Sequence, residues 1–262
     1  MTDRITVSIA DGVADVRLVR TDKMNALDPA MFKALVDTAD RLKTEKGLRA
    51  VVISGEGRAF CAGLDMSSFG TIGGSGKLAN RTHGISNLWQ YAVQAWREVP
   101  VPVIAAVHGV AFGGGFQVAL GADIRYVAPD TKMSVMEIKW GLVPDMAGMS
   151  LMRHLCREDI ARELTYTGRI FSGEEAFQYG FVTRLEADPR AAALATAREI
   201  AGKSPDAIRA AKRLFDLAQE GSGAEMLMAE SVEQDKLLGS PNQMEAVMSN
   251  MEKRAANYRD PQ

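Results

Sequence analysis

The chain has 262 residues, 47% hydrophobic and 24% charged, enough to bury a sizeable core in one large domain or a domain with an appendage. Lys plus Arg number 31 and Asp plus Glu 33, a net charge of −2 that gives no long-range pull toward nucleic acid. Three histidines and two cysteines outside any CxxC pair argue against a zinc site or a disulfide framework, and no apolar run is long enough to span a membrane. Free thiols and an N-terminus without a long apolar stretch predict a cytoplasmic protein.

In chain order, Ile5, Val7 and Ile9 alternate with polar residues, Asp11-Gly12 follows, and Val13, Val16 and Leu18 resume. This pattern predicts a hairpin. Asp28-Pro29 predicts a helix start, with Met31, Leu35 and Leu42 at helical spacing. Residues 49–54 (RAVVIS) read as a short apolar strand, and Gly70 to Gly76 as a mobile loop. A helix is expected from Leu78 to Val99, stopped by Pro100 and Pro102. Val103 to Val107 reads as a buried strand, Gly113-Gly114-Gly115 leads into a helix to Leu120, and Asp123 to Val127 is another strand. Strands and helices alternate to about residue 186, which predicts an α/β core over 1–187. Beyond it, 188–262 carries only helical signals, including starts at Ser204-Pro205 and Ser240-Pro241.

Two glycine-bearing segments each follow a predicted buried strand: Ala59 to Met66 (AFCAGLDM) and Ala106 to Gly115 (AVHGVAFGGG). Glycine lets a backbone approach a ligand closely, and a helix start offers unpaired N–H donors. Gly114 N–H is a candidate donor to an oxyanion, and the turn at Gly63-Leu64 a candidate second. The alternative reading is that the glycines only permit close helix–strand packing.

The segments FCAGLDM, HGVAFGGGFQVALGADIRY and MEIKWGLVPDMAG resemble the crotonase superfamily, the enoyl-CoA hydratase/isomerase family. The resemblance runs from Lys23-Met24-Asn25-Ala26-Leu27 to Met251-Glu252-Lys253-Arg254. It implies an α/β spiral of repeated ββα units with a helical C-terminal region for subunit contact, assembled as a trimer or a dimer of trimers. It implies no separate cofactor, since coenzyme A belongs to the acyl-CoA substrate. Leu64 and Gly114 match the backbone oxyanion donors. Met24, Ala26, Ala62 and Met66 match positions along the adenine and pantetheine path, with Gly63, Asp65 and Gly113 beside them. Lys253 matches a lysine that approaches the CoA phosphates.

Hydratases of the family bracket a water with two glutamates. The second matches Glu137, but the first falls on Gln117, which exchanges no proton at neutral pH yet can hydrogen-bond a water or substrate. Some of the family's enoyl-CoA isomerases use a single glutamate at the Glu137 position, and its dienoyl-CoA isomerases carry an aspartate where Asp145 stands, a second acid at the Glu137 position and a third at the Gln117 position, the last absent here. Double-bond isomerisation is therefore the favoured expectation, with Glu137 carrying the proton and Asp145 as a second acid. Hydration of a 2-enoyl-CoA and a catalytically weak CoA-thioester binder are the alternatives. Read without the resemblance, Glu137 is a surface or salt-bridged residue and Asp145, after Pro144, a helix cap. Cys61 reads as packing, His108 as a structural hydrogen-bonder, and His83 and His154 as surface residues.

Overall fold

The computed structural model describes residues 4–68, 77–219 and 221–261. The expected loop at Gly70 to Gly76 lies outside the described residues. Strands β1 (Ile5–Ala10) and β2 (Val13–Leu18) form the predicted antiparallel hairpin, and Asp11 and Gly12 take φ of 51° and 77° in its turn. Positive φ at both central positions matches the right-handed twist of the two strands. Helix α1 (Pro29–Lys43) starts as predicted, with the Asp28 carboxylate accepting from Met31 N–H at 2.8 Å.

The next elements are β3 (Ala50–Gly55), α2 (Leu88–Arg97), β4 (Val103–Val107), β5 (Val110–Phe112), α3 (Gly114–Leu120), β6 (Ile124–Val127) and β7 (Lys132–Ser134). After a 3-10 turn at Glu137–Trp140 come α4 (Gly148–Met152), α5 (Glu158–Thr167), β8 (Phe171–Ser172), α6 (Gly173–Tyr179) and β9 (Arg184–Leu185). Four helices finish the chain: α7 (Pro189–Ala201), α8 (Pro205–Ala218), α9 (Gly223–Leu237) and α10 (Pro241–Glu252).

A six-stranded sheet has the order β1-β2-β3-β4-β6-β9, parallel except for the opening hairpin. A smaller sheet has the order β5-β7-β8. Alternate residues of the large sheet face opposite ways. Ala14, Val16, Val51, Ile53, Val103 and Ala105 join a core built with α1, α2 and α3. Val13, Ala50, Val52, Ile104 and Ala106 face α7. That helix presents Ala193 and Ala197, one turn apart and fully buried, so its backbone lies close to the strands. Each large apolar side chain removed from water stabilises the fold by about 1.5–3 kcal/mol.

Two expectations shift. The helix expected from Leu78 begins only at Leu88, because Asn87 accepts from Gln90 N–H and Gln90 Oε1 accepts from Asn87 N–H. This capping box starts the helix there. Upstream, Gly84 at φ 60° and a bridge between His83 and Ser86 turn the chain instead. The divide expected near 187 falls just ahead of α7, so the first helix of the supposed C-terminal region belongs to the sheet's own core. Helix α8 is tied to the end of the sheet by Lys212, whose ammonium donates to Val101 O at 3.0 Å and Asp123 at 2.8 Å. Helices α9 and α10 carry exposed apolar side chains, Leu227, Met228 and Met251 among them.

Candidate active site

The floor of the site is made of backbone. Beyond β3 the chain runs beside β5: Phe60 N–H donates to His108 O, Cys61 N–H to Val110 O, and Phe112 N–H to Cys61 O. Leu27 N–H donates to Gly63 O and Asp65 N–H to Leu27 O, so the 24–27 segment lies along the other side of the same loop. Gly63 sits at φ 87°, and a methyl group there would stand 2.5 Å from Phe112 O and 3.7 Å from Gly114 N. A methyl on Gly115 would collide with Cys61 O. Glycine is required at both positions by close approach, and at Gly63 also by conformation. The two predicted segments are thereby pressed together. Among the described residues, neither Leu64 N–H nor Gly114 N–H has a hydrogen-bond acceptor.

Around this floor, Ala62 N–H donates to Met24 O at 2.9 Å, which brings Met24, Ala26 and Ala62 into one strip. Met24 and Asn25 both take left-handed φ there. Met66 lies half exposed at the edge of the strip. Asp65, expected among the substrate contacts, is instead committed to the protein. It is buried, accepts from Ser67, and pairs with Arg20 at 2.6 Å. The Ser67 hydroxyl and N–H, with Arg20, hold its carboxyl down at about 2. Lys253 ends α10 in a left-handed conformation, exposed, and makes no ion pair with any described residue.

The acids stand at the other side of the glycine turn. Gly113, the residue before α3, has φ 50°, and a methyl on it would meet Glu137 Oε1 at 3.3 Å. Glu137 opens the 3-10 turn after β7. Its Oε1 accepts from Gln117 Nε2 at 2.6 Å, and its Oε2 is buried without a hydrogen-bond partner among the described residues. Burial pushes the Glu137 carboxyl above its ordinary 4.5, the Gln117 N–H opposes the rise, and the like charge of Asp145 adds to it. Asp145 has surface open to solvent, yet the protein packed around it still raises its carboxyl.

Asp145 does not cap a helix. Helix α4 begins at Gly148, behind Ala147 at φ 67°, with no side-chain cap. Gln117 is not free for water or substrate in the expected way. It is almost fully buried, and its Oε1 accepts from both Met146 N–H and Gly148 N–H at 2.9 Å. Sequence reasoning missed this role because the partners lie 29 and 31 residues away. It missed Gly148 as well, where a methyl would stand 2.6 Å from Gln117 Oε1. His83, expected at the surface, is half-buried, while the other residues read as bystanders behave as such. Burial pushes the Cys61 thiol up to about 12, His108 bonds Gly57 O, His83 stacks on Tyr91, and His154 is exposed beside Arg153. Among the described residues no group of His, Cys, Asp and Glu is arranged to hold a metal ion, and no helix is long and apolar enough to cross a membrane.

Comparison with known proteins gives the geometry its context. The sequence model of enoyl-CoA hydratase/isomerase matches residues 8–261. The chain is 30% identical to the mouse mitochondrial Delta(3,5)-Delta(2,4)-dienoyl-CoA isomerase over 252 residues, covering 92% of this chain and 77% of that protein. It is also 30% identical to a probable enoyl-CoA hydratase of Bacillus subtilis, covering 97% and 98%. The crystal structure of a putative enoyl-CoA hydratase from Streptomyces coelicolor superposes with a TM-score of 0.89 at 32% identity, covering 98% of this chain and 94% of that one. Its sheets and helices are thus those of the α/β crotonase fold, and the chain belongs to the enoyl-CoA hydratase/isomerase family of enzymes, the crotonase superfamily.

Proposed function

We propose that this enzyme moves a carbon–carbon double bond in an enoyl- or dienoyl-CoA thioester. The observation that carries this reading is the commitment of Gln117. Where hydration calls for a second carboxylate, an amide is hydrogen-bonded to Glu137 and to the 146–148 turn. Among the described residues, that leaves Glu137 as the proton-carrying group against Gly113, with an unpartnered oxygen.

In this reading the thioester oxygen docks between Leu64 N–H and Gly114 N–H. Glu137 Oε2 takes a proton from the carbon next to the carbonyl, and the C–H electron pair moves into the enolate. Each backbone donor stabilises the developing charge by ~3 kcal/mol. Return of the proton to the far carbon of the old double bond gives the conjugated 2-enoyl thioester. No water is added and no cofactor is needed. With a 3,5-dienoyl substrate the proton must travel farther, and Asp145 serves as the second acid. Met24, Ala26, Ala62 and Met66 line the coenzyme A path, and Lys253 meets its phosphates. The exposed apolar side chains of α9 and α10 support burial against other copies in a trimer or a dimer of trimers.

The test is product analysis with 2-enoyl-, 3-enoyl- and 3,5-dienoyl-CoA. Migration of the double bond faster than hydration of the 2-enoyl substrate is the expected result. Faster formation of 3-hydroxyacyl-CoA overturns the reading in favour of a hydratase. Tight CoA binding with no turnover of any of the three makes the protein a binder.

A further inference from the structure

The side-chain amide of Gln117 has only one orientation available. Two backbone N–H groups, from Met146 and Gly148, point at the same atom at 2.9 Å, and only the carbonyl oxygen accepts them. The NH2 group must then face Glu137, where it donates to Oε1 at 2.6 Å. The flipped amide would set donor against donor at one end and oxygen against carboxylate at the other. The same oxygen spans the left-handed Ala147, gripping the chain on both sides of a residue that rarely takes that conformation. Gln117 therefore links the Glu137 carboxylate to the backbone turn that carries Asp145.

We propose that Gln117 is a positioning residue that selects the working oxygen of Glu137: it ties down Oε1, leaves Oε2 to carry the proton, and holds the Asp145 turn in register with it. Its catalytic consequence rests on the isomerase reading above; its geometry does not. The surroundings fit this role. Asp145 is the charged neighbour that acts on Glu137. On Glu137's own turn, Lys139 lies over the Trp140 ring. On the adjoining α5, Arg162 pairs with Glu158 and Glu163 with Arg169. Residues 113–120, which contain Gln117, carry no charged side chain. The neutral N–H of Gln117 thus favours the ionised form of Glu137 without bringing a proton of its own to the site.

The discriminating variant is Gln117→Glu. It keeps an oxygen for the Met146 and Gly148 N–H groups and replaces the N–H facing Glu137 with a second oxygen. Two carboxylates at that separation share a proton. The acid limb of the kcat/KM profile should then move up by at least one pH unit, with kcat at pH 7 down at least tenfold and KM within threefold. An unmoved acid limb would mean that the 117 side chain does not face the Glu137 carboxylate, and that result overturns the proposal. A second measurement needs no variant at position 117. In the intact protein, the Gln117 side-chain NH2 resonances should titrate together with the Glu137 carboxyl, and should stop doing so in Glu137→Gln. Resonances that ignore Glu137 overturn the proposal even if Gln117→Glu fails to fold. If the resonances follow Glu137 but no enoyl thioester is turned over, the isomerase reading falls and the positioning role stands.

Discussion

The two sides of the site are built by different means. The glycine floor, 60–65 against 111–115, is fixed by backbone hydrogen bonds between neighbouring segments, and added atoms at Gly63 or Gly115 collide with backbone oxygens. On the acid side, 137–148, the buried Gln117 side chain ties Glu137 to the Met146 and Gly148 backbone, while Ile138, Trp140, Leu142 and Val143 are exposed. The difference teaches where tolerance lies. The main-chain geometry of the floor leaves little room for substitution, whereas the proposed proton chemistry rests on a few side chains and their partners.

The largest expected effect separates chemistry from fold. Glu137→Gln should lower kcat/KM by ~10²–10⁴-fold in an enoyl-CoA isomerisation assay, with the circular dichroism spectrum unchanged. Activity within tenfold of the parent would remove Glu137 as the proton carrier. Next is the rigidity of the floor. Gly63→Ala places a side chain at φ 87° and against Phe112 O, and should cost about 2–4 kcal/mol, a drop in Tm of about 5–10 °C. Gly141 also has positive φ, at 69°, but nothing crowds it, so Gly141→Ala should cost only ~1 kcal/mol. Equal losses from the two, read by thermal denaturation, would erase the contrast between floor and rim.

Much of the fold and of the floor was legible in the sequence, because the signals are local. The Asp11-Gly12 turn, the Asp28-Pro29 cap and the glycine run that opens α3 each specify a conformation within a few residues. The acid side was legible only as residue types. The role of Gln117 arises from contacts with Glu137 and Met146, 20 and 29 residues away, which no local pattern encodes. The short strands β5, β7 and β8 escaped for a related reason, since two or three residues carry no periodicity. The overextended second helix shows the converse. Its polar and glycine-bearing start lacked a stop signal, and the Asn87–Gln90 capping box that begins the real helix lies inside the predicted one.

Smaller effects sharpen the account of the acid side. Asp145→Asn should slow 3,5-dienoyl isomerisation by about tenfold or more while leaving 3-enoyl isomerisation within about threefold. Equal slowing in parallel steady-state assays would make Asp145 a general structural residue. Stability should carry the mark of the raised Glu137 carboxyl. A group with a raised folded-state pKa favours the fold below its unfolded value, 4.5, and loses that contribution as pH rises through the folded value. Glu137→Gln should therefore raise Tm by about 1–3 °C at pH 7, and the gain should vanish below pH 4.5. A gain that grows on acidification would reverse the sign. Last, if Lys253 meets the CoA phosphates as proposed, Lys253→Ala should raise KM for a CoA thioester by about two- to fivefold with kcat unchanged.

The transfer of a single proton by Glu137 is tested most directly by tracing it. A 3-enoyl-CoA carrying deuterium on the carbon beside the carbonyl is incubated with the protein in ordinary water, and the product is read by mass spectrometry and NMR. A one-carboxylate shuttle predicts a 2-enoyl product with part of the deuterium delivered to the far carbon, and loss of that transfer in Glu137→Gln. Complete exchange of the label with solvent together with a 3-hydroxyacyl product, or deuterium transfer that survives in Glu137→Gln, would contradict it.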